Sequence, residues 1–296
     1  MALDGLNILV TGGTGSFGQA FCEFAATRAR SVTVYSRDEL KQSEMHVPGL
    51  KFVIGDIRDL PRLTAAMAGI DVVVHAAAMK QVPACEDNPT EAIDSNVTGS
   101  RNVIDAANGA GVSLVVALST DKAANPTNTY GATKMLAERL FLTAKGPTRF
   151  CVVRCGNIFG SRGSVVPLFR EQANTGTVTV TDSRMTRYSI TLTEAVAMVV
   201  RAIHSGRGGE MFIPKMPSYR LSTLAAAIAP ECTIREIGPR AGESSHECLI
   251  TEAEAPDARD AGAYWVVAPG QGDGQVKAAY SDGNARWLTM QELRAL

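Results

Sequence analysis

An apolar run at residues 6–10 breaks into TGGTGSFG and continues into a helix-like segment that begins near Ser16. Gly12, Gly15 and Gly18 are evenly spaced across that junction. A buried strand, a turn without side chains and a helix N-terminus together cradle a pyrophosphate. Backbone N–H groups can approach the phosphate oxygens, and the helix dipole favours their negative charge. Thr14, Ser16 and Phe17 lie in the same turn and are candidate cofactor contacts with the three glycines. The junction constrains the fold because a cradle of this kind opens a strand–helix–strand unit.

The rest of the first half repeats that unit. Apolar runs at 31–35, 51–54, 71–75, 113–118 and 150–154 read as strands, and segments 61–68, 89–110 and 129–143 read as helices. This alternation predicts an α/β fold, a Rossmann-like doubly wound parallel sheet with the nucleotide across the carboxyl ends of its strands. After about residue 155 the pattern changes. Segments 156–160 and 161–167 read as glycine-rich loops, 178–181 and 210–213 as strands, and 193–204 and 221–229 as helices. From 234 on, short strands mix with turns such as PGQGDGQ at 269–275. The expected division is a dinucleotide-binding domain over 1–155, with main-sheet elements recurring later. Residues 156–296 then form mainly a small, interleaved C-terminal substrate lobe.

Several strand ends carry further candidates. The second strand ends in Ser36-Arg37, and Lys41 follows one turn on. An acidic residue at this point suits the ribose 2′-hydroxyl of NAD, whereas an arginine suits the 2′-phosphate of NADP. Arg37 therefore points to NADP, while Asp38 leaves NAD open. Asp56 and Ile57 follow the third strand, placed to hold an adenine. Ala76, Ala77 and Ala78 leave space after the fourth, and Lys80 lies just beyond. His75 reads as a satisfied core histidine, and Asn96 as structural support for the active-site strand that follows it.

With 45% apolar and 20% charged residues and a formal net charge of −1, the composition is that of a water-soluble globular chain. Scattered Lys and Arg give no surface for nucleic acid or membrane. No secretory leader or membrane-length apolar run is evident, so a cytoplasmic location is expected. The six cysteines form no CxxC pair and the four histidines are dispersed. No metal site is expected, and the cysteines read as small buried hydrophobes.

The fifth strand delivers STDKAANPTNTYGATK, residues 119–134. Tyr130 and Lys134 are one helical turn apart and share a face. An ammonium near a phenol favours the phenolate, so this pair suits removal of a hydroxyl proton while hydride leaves the same carbon. Asp121 and Lys122 offer a second acid and base. Two proton-handling pairs exceed what an alcohol oxidation needs.

Taken in order, TGGTGSFG, YSRDELKQSEM, GDIRDL, HAAAMKQVP, ALSTDKAANPTNTYGATK, VVRCGNIFGSRGSVVP and RMTRYSITL resemble the inverting UDP-N-acetylglucosamine 4,6-dehydratase family. These are extended short-chain dehydrogenase/reductases that open pseudaminic acid biosynthesis. The resemblance implies a tightly bound, recycled NADP, UDP-GlcNAc as substrate and a homo-oligomer. It makes Tyr130 the base on the C4 hydroxyl, Lys134 its partner and ribose ligand, and Thr120 a hydrogen-bond partner of O4. Lys122 becomes the base for the C5 proton and Asp121 the acid for the departing C6 hydroxyl. Lys80, Asn157, Val165, Val166 and Arg187 match the UDP end, and Arg240 and Glu243 match it more weakly. A related branch that retains configuration at C5 commonly has methionine where Tyr130 stands.

The chain departs from the family pattern in places. The usual RPGEKxHE reads RAGESSHE, so Ser244 stands for a lysine, and Ser189 stands for a common tryptophan. The C-terminal lobe and the turn after Met45 are short. Two other readings remain open: an epimerase or oxidoreductase using only Tyr130 and Lys134, and a non-catalytic NADP-binding protein.

Overall fold

The structure, a computed structural model, describes residues 3–240 and 242–296. β1 (Asn7–Thr11) runs through the glycine turn into α1 (Ser16–Ala26). β2 (Ser31–Ser36), α2 (Glu39–Ser43), β3 (Leu50–Ile54), α3 (Leu60–Ala66), β4 (Val72–His75) and α4 (Val82–Asp87) follow. α5 (Pro89–Ile93) passes through a π-helical turn, Asp94–Thr98, into α6 (Gly99–Ala110). β5 (Leu114–Thr120) ends in a 3-10 turn, Asp121–Ala123, ahead of α7 (Thr129–Thr143) and β6 (Arg149–Cys155).

The second half contains β7 (Asn157–Ile158), α8 (Val165–Ala173), β8 (Thr177–Val180), β9 (Thr186–Ile190), α9 (Leu192–Ser205) and β10 (Glu210–Pro214). β11 (Ser218–Arg220), α10 (Leu221–Ile228), β12 (Thr233–Glu236), β13 (Cys248–Ile250) and β14 (Ala258–Asp260) come next. β15 (Tyr264–Val267), β16 (Ala279–Tyr280) and α11 (Met290–Ala295) complete the chain. The expected loop at 161–167 gives way to α8 from Val165 onward. Pro167 sits in its first turn, where a missing N–H costs no helical hydrogen bond. Helices α2, α4 and α11 are too short to show a sequence period.

Among the described residues, nine strands form the main sheet in the order β14–β15–β10–β6–β5–β4–β1–β2–β3. From β10 to β3 all neighbours pair in parallel, and β15 joins β10 antiparallel. Strands such as Val72–His75 are buried along their whole length, because helices cover both faces. The strand order reverses between β1 and β4, which opens a crevice at their carboxyl ends. The second half both returns strands to this sheet and builds its own small sheets, β11–β9–β7 and β12–β8. A separate apolar core including Phe169, Val178, Val180 and Leu224 holds α8 and α10 against these strands. Among the described residues no helix is long and apolar enough to cross a membrane.

Candidate active site

One cleft of about 1320 Å³ runs across the carboxyl ends of the parallel strands. That exceeds the usual small-ligand pocket of roughly 300–1,000 Å³. Its wall carries Gly12, Thr14, Gly15, Ser16, Phe17 and Gly18, then Ser36, Arg37, Lys41, Asp56 and Ile57, then Ala76, Ala77, Ala78 and Lys80. Thr120, Lys122, Tyr130 and Lys134 lie on the same wall, and Asn157, Val165, Val166, Arg187, Arg240 and Glu243 line the small-lobe side. Asp121 is the candidate set back from the cleft, 2% exposed.

At the glycine turn, Gly12 has φ +67°, and a Cβ there would lie 2.7 Å from the Ala77 Cα. A side chain would force apart the two strand ends that form the crevice. No side chain caps the N-terminus of α1, although Asp38, Asp59 and Asn128 cap α2, α3 and α7. The uncapped helix end and the bare turn fit a dinucleotide pyrophosphate. At the end of β2, Thr14 Oγ1 donates to Ser36 Oγ at 3.2 Å. Asp38 accepts from the Lys41 backbone N–H at 3.0 Å and pairs with its ammonium, which holds the Asp38 carboxyl below its ordinary range. Arg37 is largely exposed, with Nη1 3.4 Å from Asp56 Oδ2. The acid that suits a ribose diol is thus engaged by a lysine, while Arg37 lines the cleft beside Asp56. Lys80 Nζ donates to the Arg162 carbonyl at 2.9 Å, and the Arg162 N–H donates to Ser16 Oγ at 3.1 Å. Arg162, not a candidate from sequence, thereby lays the loop before α8 over the glycine turn.

At the end of β5, Asn128 Oδ1 accepts from the Gly131 N–H at 2.8 Å and starts α7. A Cβ on Gly131 would lie 2.3 Å from the Lys122 carbonyl oxygen, so only glycine lets α7 approach the 3-10 turn so closely. Burial pushes the Tyr130 phenol up to about 12, against the pull of the Lys122 ammonium and a hydrogen bond with Thr120. Lys134 Nζ donates to the Leu118 carbonyl at 2.8 Å, and burial lowers it to about 8. The Lys134 ammonium is thus bonded to the backbone at the end of β5.

Thr120 links the pairs further, since its hydroxyl donates to Asp121 Oδ1 at 2.6 Å. Lys122 Nζ lies 3.2 Å from Asp121 Oδ1 and 3.0 Å from Glu247 Oε1. Glu247 is buried and had no role assigned from sequence. Its carboxylate accepts from Asn157 Nδ2 at 2.8 Å on both oxygens and from the Tyr188 N–H at 2.9 Å, and Arg187 Nε lies 3.5 Å away. Its own N–H donates to Ser281 Oγ at 2.8 Å, and Arg154 Nη1 holds the Leu249 carbonyl at 2.9 Å. The two contacts fix the start of β13 beneath the 3-10 turn. The sequence did carry a signal, since Glu247 is the last residue of the RAGESSHE stretch and stands directly before the buried apolar run CLI.

On the small-lobe side Arg187 Nη2 pairs with Glu243 Oε1 at 3.2 Å, and the Arg240 N–H donates to Glu243 Oε2 at 3.1 Å. Ser189 lines the cleft, whereas Ser244 Oγ lies 3.0 Å from Thr127 Oγ1, against the loop before α7. His75 is buried, with Thr11 Oγ1 2.7 Å from Nδ1, and burial drops it to about 3, so it is neutral. Asn96 holds the chain after β4 rather than β5. It accepts from the Met79 N–H at 2.8 Å and donates to the Met79 carbonyl at 2.9 Å and to Thr133 Oγ1 at 3.0 Å. The π turn presents Asn96 to both. Among the described residues no group of three or more His, Cys, Asp or Glu side chains could hold a metal ion.

Residues 8–269 match the family described as polysaccharide biosynthesis protein. The chain belongs to that family. It is an enzyme, similar along its length to nucleotide-sugar 4,6-dehydratases. It is 42% identical to a UDP-N-acetylglucosamine 4,6-dehydratase (inverting) of Campylobacter jejuni subsp. jejuni serotype O:2, over 97% of this chain and 96% of that one. A UDP-glucose 4-epimerase of Rickettsia akari is 38% identical over 98% of this chain and 94% of its own. The structure of Pen from Bacillus thuringiensis superposes with a TM-score of 0.94 at 37% identity, covering 100% and 98% of the two chains. A dTDP-glucose 4,6-dehydratase from Streptomyces venezuelae, with NAD bound, shares the fold at TM-score 0.73 and 22% identity, over 80% of this chain and 85% of that one. The α/β fold is therefore that of the extended short-chain dehydrogenase/reductases.

Proposed function

We propose that this enzyme is an NADP-dependent nucleotide-sugar 4,6-dehydratase that acts on UDP-GlcNAc and inverts C5. Its product is then UDP-2-acetamido-2,6-dideoxy-β-L-arabino-hex-4-ulose, as in a pseudaminic-acid-type pathway. The observation that carries the reading is the convergence of Thr120, Lys122, Tyr130 and Lys134 on one cleft beside the glycine turn. Residues 1–155 mainly hold the cofactor and residues 156–296 the sugar nucleotide, in the cytoplasm and in a homo-oligomer.

The nicotinamide supplies a hydride acceptor at C4 and a hydride donor at C6 when bound. Gly12, Gly15 and Gly18 hold the pyrophosphate, Asp56 and Ile57 the adenine, and Arg37 the 2′-phosphate. Tyr130 takes the C4 hydroxyl proton while Thr120 hydrogen-bonds O4. Lys134 holds the nicotinamide ribose, and its ammonium assists Tyr130 once the cofactor brings both to the sugar. The C4 ketone acidifies the C5 proton, which Lys122 removes. Asp121 protonates the C6 oxygen as it leaves as water. Asp121 contacts Thr120 and Lys122, the two groups between it and the cleft. Asn157, Val165, Val166 and Arg187 hold the UDP end, with Arg240 and Glu243 at its edge.

The test is incubation with UDP-GlcNAc in deuterated water, read by NMR and mass spectrometry. A C6 methyl group, loss of one water and deuterium at C5 are expected. An unaltered C6 hydroxyl with inverted C4 would instead support a 4-epimerase, the reading favoured by the Rickettsia relative.

A further inference from the structure

We propose that Glu247 is a positioning residue for the elimination: its carboxylate carries the buried negative charge that holds Lys122, leaving Asp121 the proton that departs with the C6 oxygen. The inference rests on the dehydratase reading.

The argument is one of hydrogen-bond donors. Two carboxyl groups, Asp121 and Glu247, share the ammonium of Lys122, at 3.2 Å and 3.0 Å. Both are buried, with 1% and 3% of their side chains exposed. Arg187 pairs with Glu247 and also with Glu243, so three carboxyl groups share two cations, and in so buried a cluster one carboxyl keeps a proton. Donors decide which. Glu247 receives Asn157 Nδ2 on both oxygens, the Tyr188 N–H and Lys122, with Arg187 alongside. Asp121 receives only the Thr120 hydroxyl and Lys122. Every donor around Glu247 is fixed as a donor, whereas the Thr120 hydroxyl can turn and accept. Glu247 is therefore the anion and Asp121 the acid. Burial and the charge of Glu247 raise Asp121, and Lys122 and Arg187 offset burial to lower Glu247.

Lys122 enters the elimination as the neutral amine and takes the C5 proton, and the Glu247 carboxylate holds the ammonium that forms. The C5–H electron pair forms the C4 enolate, which collapses to a C5=C6 double bond. The C6–O bond breaks with its electrons on oxygen, and oxygen takes the Asp121 proton to leave as water. Lys122 gains one proton and Asp121 loses one, so the step conserves charge. Neither Asp121 nor Glu247 lines the cleft; Glu247 acts through its two neighbours.

The experiment compares Glu247→Gln and Glu247→Asp with the wild type in single turnovers on UDP-GlcNAc. Reduced nicotinamide absorbance reads C4 oxidation, and C6-methyl product reads elimination. In Glu247→Gln, Asp121 becomes the sole counter-ion and loses its proton. Elimination is expected to fall by at least about 100-fold, the usual scale of a lost acid. C4 oxidation stays within a few-fold, so reduced nicotinamide accumulates. Glu247→Asp keeps the charge and is expected to recover much of the elimination. The proposal is overturned if Glu247→Gln eliminates at the wild-type rate, if oxidation falls as far as elimination, or if Asp rescues no better than Gln. Should the Gln variant not fold, infrared spectroscopy of the wild type reads the Asp121 carboxyl directly: a protonated carboxyl band near neutral pH that is lost in Asp121→Asn supports the proposal, and no such band overturns it. A wild-type protein that oxidises C4 but never releases water overturns the dehydratase reading itself, and this proposal with it.

Discussion

Lys122 Nζ lies 3.0 Å from Glu247 Oε1, a contact between residues 125 apart in the chain. One end is delivered by the central strand β5 and the other by the start of β13, so the second half of the chain adds a carboxylate to the second acid–base pair.

Lys122→Ala removes the base for C5 and leaves Tyr130 and Lys134 in place. Elimination is expected to fall by about 100-fold or more, with cofactor binding unchanged. In deuterated water the C5 position of recovered sugar should carry no deuterium. Normal turnover by this variant would refute the role given to Lys122.

Arg37→Ala separates the two cofactors. Arg37 is exposed beside Asp56, and Asp38 is engaged by Lys41. Loss of one charge-assisted contact to a 2′-phosphate, about 1.5–3 kcal/mol, should weaken NADP binding by roughly ten- to a hundredfold. NAD binding should barely change. Titration calorimetry with both dinucleotides checks this, and equal losses would remove the case for NADP.

Arg154→Met tests the anchor beneath the site. Arg154 is buried and bonds Glu138 Oε2 at 2.6 Å and Glu254 Oε1 at 2.8 Å. Removing the cation strands two acidic groups, a loss of about 3–5 kcal/mol in comparable buried pairs. Urea denaturation should show a lower midpoint. A triple variant, Arg154→Met with Glu138→Gln and Glu254→Gln, should recover part of that loss, because no unpaired charge remains.

His75 predicts an acid-dependent stability. Its folded pKa, about 3, lies below the ordinary value of 6.5. Between those values the unfolded chain binds a proton that the folded chain refuses. Stability is therefore full above pH 6.5 and falls as pH drops toward 3, by up to about 1.4 kcal/mol per pH unit. Urea midpoints measured from neutral pH downward should fall less steeply in His75→Gln than in wild type. Parallel slopes would show that His75 does not titrate in this way.

The parallel sheet was legible because buried parallel strands and their crossover helices leave strong, local patterns. α7 was expected at 129–143, and the structure has it at Thr129–Thr143, with Asn128 as its cap. Short elements were not legible: α8 replaced an expected loop, because nine residues around Pro167 carry too little periodicity. Asn96 was read as support, but its targets, Met79 and Thr133, depended on a π turn that leaves no mark in sequence.

The sequence by itself determined the motif order, the glycine cradle and the candidate chemistry of Thr120 to Lys134, since those residues are close along the chain. Only the tertiary structure decided how their charges divide. Lys134 turns to the Leu118 carbonyl, and Glu247 arrives to share Lys122 with Asp121. Proton affinities depend on burial and on charges a few ångströms away, and the neighbours that supply them here come from distant parts of the chain.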